Sequence, residues 1–138
     1  LKVTLWSSIT LHWMTPIVHE GNLYAFSGRN EPDAKFRCVE FSTGKLLWDQ
    51  AEAWQKYGPT AKKYGRGSFI QADGKLIVLG ETGKLGLYAL NAKKPVELAA
   101  YKVPLLRYPC WAAPAMANKR VYLRSESYLV CFDFAKKR

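Results

Sequence analysis

Apolar residues in this chain come in short runs with a period near two, each closed within a few positions by a turn signal, which predicts strands and hairpins rather than helices. Three segments repeat one plan of apolar run, turn and second apolar run. They are Thr15-Pro16-Ile17-Val18-His19-Glu20-Gly21-Asn22-Leu23-Tyr24-Ala25-Phe26, then Gly67-Ser68-Phe69-Ile70-Gln71-Ala72-Asp73-Gly74-Lys75-Leu76-Ile77-Val78-Leu79, then Ala113-Pro114-Ala115-Met116-Ala117-Asn118-Lys119-Arg120-Val121-Tyr122-Leu123. Pro16, Ser68 and Pro114 correspond in this alignment. Glu20-Gly21-Asn22 and Asp73-Gly74-Lys75 supply residues that accept positive φ, so each segment is expected to be a tight hairpin. A third strand follows each hairpin at residues 36–41, 87–92 and 130–134, with Glu40, Asn91 and Asp133 aligned. A fourth closes the unit at 43–48, with a degenerate version at 94–99 in which Ala99 stands for Trp48. The one helical turn that the pattern allows lies at 51–57, ahead of Gly58-Pro59.

Four-stranded units of roughly 40 to 50 residues in tandem are the signature of a β-propeller, in which each blade buries its faces against the next. The expected fold is all-β, with about three blades' worth of strands. An outer strand of a preceding blade falls in 1–10, a blade in 11–50, a loop insertion in 51–66, a second blade in 67–101, an incomplete blade in 109–134 and a basic tail in 135–138. A closed ring generally takes about four to eight blades. The chain therefore reads as the C-terminal part of a larger ring, or as one that completes a ring by self-association through its uncovered blade faces.

Within that frame Gly44 takes the left-handed position of a turn, the acidic or amide side chain at Glu40, Asn91 and Asp133 is expected to hydrogen-bond the turn backbone, and Trp48 offers an apolar plate to the next unit. The string Cys38-Val39-Glu40-Phe41-Ser42-Thr43-Gly44-Lys45-Leu46-Leu47-Trp48 resembles the repeat of the pyrroloquinoline-quinone-like propellers, whose consensus runs small-apolar-acidic-x-x-Thr-Gly-Lys-x-x-Trp. The match is strong in the first unit, partial in the second and truncated in the third. That family includes quinoprotein alcohol dehydrogenases and cofactor-free scaffolds, among them the lipoprotein that assists assembly of outer-membrane barrels. The resemblance implies a periplasmic or cell-surface setting. For the dehydrogenases it further implies a quinone and calcium, an Asp base and a disulfide of adjacent cysteines. None of these carries over to residues here, and fold alone does not choose between the two kinds of member.

At 49% apolar and 14% aromatic residues over 138 positions, the chain is too rich in core-forming side chains to be disordered. No run of about 20 apolar residues would make a membrane-spanning helix. Cys38, Cys110 and Cys131 form no CxxC pair, which leaves room for one bridge and no zinc knuckle. His12 and His19 have no partner pattern for a metal site. Gly80-Glu81-Thr82-Gly83-Lys84 is followed by Leu85 rather than by Ser or Thr and a helix, and is read as a strand-connecting loop.

With 21 Lys and Arg against 11 Asp and Glu the formal charge is +10, enough to attract anionic partners. Trp54-Gln55-Lys56-Tyr57 and Lys62-Lys63-Tyr64-Gly65-Arg66 mix bases with aromatics, a blend that suits nucleic acid but here stays within one insertion. Loops 29–35, 50–66, 80–84, 102–111 and 124–127 are expected on one face, where propellers commonly bind. Trp54, Tyr57, Arg66, Arg107 and Trp111 are the candidate binding residues. Glu40, Thr43, Gly44, Lys45, Trp48 and Asp133 are the structural repeat. No catalytic or metal-ligating set is assigned. The leading expectation is a non-catalytic scaffold for another protein or for further blades. A portion of a quinone-dependent alcohol dehydrogenase is the alternative, and binding of an anionic polymer the weaker one.

Overall fold

The computed structural model describes residues 6–53 and 63–135, and apart from a single 3-10 turn at Glu31–Asp33 the regular structure there is all strand. The first sheet is antiparallel in the order β1 (Ile17–His19), β2 (Asn22–Ser27), β3 (Lys35–Glu40), β4 (Leu46–Ala51). The second repeats it with β5 (Ser68–Ala72), β6 (Lys75–Leu79), β7 (Lys84–Ala89) and β8 (Val96–Lys102). The third has β9 (Ala115–Ala117), β10 (Arg120–Arg124) and β11 (Leu129–Asp133). Residues 6–10 form no strand, and the rest of the expected outer strand at 1–10 lies outside the described residues, as does the expected helical turn beyond Ala53.

Each opening hairpin turns through two residues with positive φ. These are Glu20 (48°) and Gly21 (75°), Asp73 (48°) and Gly74 (65°), and Asn118 (50°) and Lys119 (63°), the mirror-image turn that matches strand twist. The registers His19↔Asn22, Ala72↔Lys75 and Ala117↔Arg120 superimpose the three hairpins and correct the alignment by one residue: Pro16 and Pro114 correspond to Phe69, not Ser68. The third strands need a second correction. Glu40 and Asp133 share a register opposite Asn22 and Arg120, but the residue opposite Lys75 is Ala89, and Asn91 lies two positions further on. There Asn91 accepts hydrogen bonds from the Lys93 and Lys94 amides at 2.8 and 3.4 Å and so shapes the turn itself.

In the turn of the first unit the Glu40 carboxylate meets the Thr43 hydroxyl, and it is Thr43 that holds a backbone amide. The Thr43 hydroxyl donates to Glu40 at 2.5 Å, the Lys45 amide donates to Thr43 Oγ1 at 3.1 Å, and Gly44, at φ 72°, donates its amide to the Glu40 carbonyl at 2.8 Å. Asp133 accepts from Arg120 Nε at 3.0 Å and from the Ala135 amide at 2.8 Å. β7 starts at Lys84, earlier than expected, because the loop at 80–83 closes tightly with the Gly80 amide donating to the Lys84 carbonyl at 2.8 Å. Both full sheets carry a bulge at the same place, between Cys38 and Val39 and between Leu87 and Tyr88.

Two apolar clusters join the sheets. Between the first and second lie Phe26, Phe36, Trp48, Tyr64, Phe69 and Tyr88, and between the second and third lie Leu79, Val103, Leu106, Val121 and Leu123. Trp48 Nε1 donates to the Asn91 carbonyl of the next sheet at 2.9 Å, and Trp6 Nε1 makes the same kind of bond to the Phe41 carbonyl at 3.0 Å. An indole that buries its rings and still finds an acceptor joins neighbouring units without leaving a polar atom unpaired.

Candidate functional site

Three positions ahead of Pro16, Phe69 and Pro114 stand Trp13, Arg66 and Trp111, so these residues are equivalents at the entry to the first strand of each sheet. They meet. The Arg66 guanidinium carbon lies 4.5 Å from the Trp13 ring centre and 5.9 Å from that of Trp111, and the two indoles are 5.3 Å apart. A cation against indole faces is favourable, and more so out of water.

Glu81, from the β6–β7 turn, holds the cluster together. It is wholly buried, and its carboxylate accepts from Arg66 Nε at 3.2 Å, Nη2 at 3.0 Å and the backbone amide at 3.1 Å, as well as from Trp111 Nε1 at 3.3 Å. Its own amide donates to the Tyr64 carbonyl at 3.0 Å and its carbonyl accepts from the Cys110 amide at 2.9 Å. The turn is thereby tied to the connections entering both neighbouring strands. The Arg66 charge is neutralised in place, and the cluster is a clamp rather than an open anion seat. Beside it the His12 ring lies 4.5 Å from that of Trp13, whose buried indole N–H has no partner among the described residues.

Outward from the clamp the surface changes character. A recess of about 290 Å³ is lined by Pro109, Trp111, Ala112, Arg124, Ser125 and Glu126. A smaller one of about 70 Å³ adjoins it, with Arg107, Tyr108 and Tyr128 among its walls. Trp111 is 43% exposed, Tyr108 49% and Tyr128 52%, and Tyr108 meets Trp111 edge to face at 5.8 Å. Lys102 passes beneath these loops, its ammonium donating to the Thr82 and Leu106 carbonyls, and burial lowers its pKa. Burial likewise pushes the Cys110 thiol up to about 11, so it stays protonated at neutral pH. All three cysteines are free thiols.

No family model matches the chain, and no curated protein matches it. Solved structures do match, among them a quinohemoprotein alcohol dehydrogenase from Pseudomonas putida, with TM-score 0.55 and 21% identity over 88% of this chain and 17% of that one. The likeness is one of fold. The chain spans about a sixth of the length of that structure, and the fold agrees in kind with the resemblance read from the repeat.

Of the candidate binding residues, Arg66 and Trp111 are brought together in the clamp, Arg107 lies in the adjoining recess, and Trp54 and Tyr57 fall outside the described residues. Glu81, Tyr108, Arg124 and Tyr128 were not among them. Glu81 could have been suspected, because a carboxylate held between Gly80 and Gly83 in a turn that closes two strands sits where neighbouring chain passes close. A second polar cluster lies between the first two sheets, where Tyr64, Tyr88 and Lys84 all reach Glu97 Oε2 at 3.0, 2.9 and 3.2 Å. Burial raises the pKa of both tyrosines and of fully buried Glu52, which accepts from the Tyr64 amide at 2.8 Å. That cluster fastens the sheets together. Among the described residues no group of three or more His, Cys, Asp or Glu could hold a metal ion, and no helix is long and apolar enough to cross a membrane.

Proposed function

We propose that the chain is a β-propeller segment of about three blades' worth whose loop face docks another protein without performing chemistry, in a periplasmic or cell-surface setting. One observation carries this reading. Exposed Trp111, Tyr108 and Tyr128 sit beside Arg107 and Arg124 in two adjoining recesses, and the loop that carries Trp111 is pinned from beneath by the Arg66–Glu81 clamp. Trp, Tyr and Arg are the side chains that dominate binding energy at protein interfaces, and a rigid mount spares the cost of ordering them. The net charge of +10 favours a partner segment rich in Asp and Glu.

The test is a panel of acidic peptides with and without an aromatic residue, titrated against the protein and its Trp111→Ala and Arg107→Ala variants. Each variant is expected to weaken binding of the aromatic acidic peptides about tenfold or more, as hot-spot truncations do. Equal binding by the parent and both variants would refute the assignment of this face.

The second reading, part of a quinone-dependent alcohol dehydrogenase, is supported by the fold likeness. The described residues do not fit a quinone with calcium at the aromatic cluster: Arg66 covers the Trp13 face and is itself bonded to Glu81. Oxidation of an alcohol with added quinone and calcium, followed with a redox dye, would favour that reading over docking.

A further inference from the structure

The joint between the first two sheets and the joint between the second and third are built from equivalent positions, and they are filled very differently. In the first, Trp48 opposite Cys38 packs against Phe36 at 5.0 Å and Tyr24 at 6.2 Å and is almost wholly buried. Carrying the registers across, Trp48 corresponds to Ala99, Phe36 to Leu85 and Tyr24 to Ile77. Every substitution removes volume from the same side of the sheet. The result is an apolar slot of about 380 Å³ between the second and third sheets, whose walls include Ile77, Leu85, Ala99, Tyr101, Met116 and Phe134.

The filled joint also shows what such a slot accepts. There the occupant is an indole whose N–H donates to a carbonyl in the turn after the neighbouring third strand, at Asn91, as Trp6 donates to Phe41. The counterpart turn begins at Phe134, which lines the slot. The charges at its edge, Lys75 and Asp73, pair with each other at 3.3 Å, so the slot offers no net charge to a ligand. Its volume lies within the range of small-molecule pockets, about 300 to 1,000 Å³.

We propose that this slot is a binding site for a neutral, flat aromatic molecule of indole size, seated where the first joint places its own tryptophan. This site is on the joint between sheets and is independent of the docking reading for the loop face.

The probe is 5-fluoroindole, followed by fluorine NMR on the protein with the Met116 methyl shift as a second reporter. Saturable broadening of the fluorine line and a shift at Met116 are expected, with Kd on the order of 0.1–1 mM for so few heavy atoms. Ala99→Trp seats an indole permanently and is expected to weaken binding at least tenfold. Ala99→Phe, a smaller intrusion, gives the same direction and guards against a misfolded first variant. The proposal is overturned if the probe leaves Met116 unmoved to its solubility limit, which is also the result if an aromatic side chain from elsewhere already fills the slot. It is equally overturned if both folded variants bind the probe as tightly as the parent.

Discussion

Lys119 stands at φ 63°, in the backbone position that Gly21 and Gly74 occupy in the other two hairpins. A side chain there costs roughly 1–2 kcal/mol through the crowding of Cβ against the backbone. Lys119→Gly is therefore expected to raise the stability of the protein by about 0.5–1 kcal/mol, after allowing for the extra freedom that glycine brings to the unfolded chain. The reverse change, Gly74→Ala, should cost about 1 kcal/mol. A Cβ at Gly74 would meet nothing within 4 Å, so that loss is purely conformational. Urea midpoints decide both, and a destabilised Lys119→Gly protein would contradict the strain account. This is also where the sequence was most readable. Glu20-Gly21 and Asp73-Gly74 announce their turns by residue type, whereas Asn118-Lys119 is found only by aligning the third repeat with the first two.

Among elements, the strands and their order follow from alternating apolar runs, and the meeting of their ends does not. The second repeat has no proline at its entry, and Gly67-Ser68 imitates the start of the first unit closely enough to shift the alignment by one residue. That single slip conceals that Arg66 is the counterpart of Trp13 and Trp111, and with it the reason why the three converge. Asn91 misleads in the opposite way, since Ala89 holds the register of Glu40 and Asn91, two positions on, accepts from the Lys93 amide as Thr43 accepts from that of Lys45. The clamp itself yields a measurable consequence. Arg66→Ala leaves the buried Glu81 carboxylate without its cation and is expected to cost about 3 to 5 kcal/mol. The double variant Arg66→Met with Glu81→Leu should cost markedly less than the sum of the single changes, because it removes both charges together. Additive losses in denaturant melts would mean that the pair is not coupled as described.

On the scale of the whole molecule, the two joints between sheets are unequal. The first gathers a continuous aromatic cluster with Phe36 at its centre and Trp48 packed against it, while the second is mostly aliphatic, smaller, and open at the Ala99 slot. The third sheet also exposes Leu129, while Met116 and, just after β11, Phe134 turn their exposed apolar surface into the slot. Such surface was legible in the repeat only as an incomplete final unit. The depth of the slot was not, because it depends on three substitutions in separate strands that the fold aligns on one side of a sheet.

An absent indole also sets the order in which the molecule comes apart. Regions with fewer buried contacts open locally at lower free energy than the global transition, often as whole supersecondary units. In hydrogen exchange at denaturant concentrations below the midpoint, the amides of β9, β10 and β11 should exchange together and ahead of those in β2, β3, β6 and β7. Uniform exchange across all three sheets would mean that the Leu79–Leu123 cluster holds its joint as firmly as Trp48 holds the other. If the third sheet does lead, the place of first opening was written into the chain by one alanine.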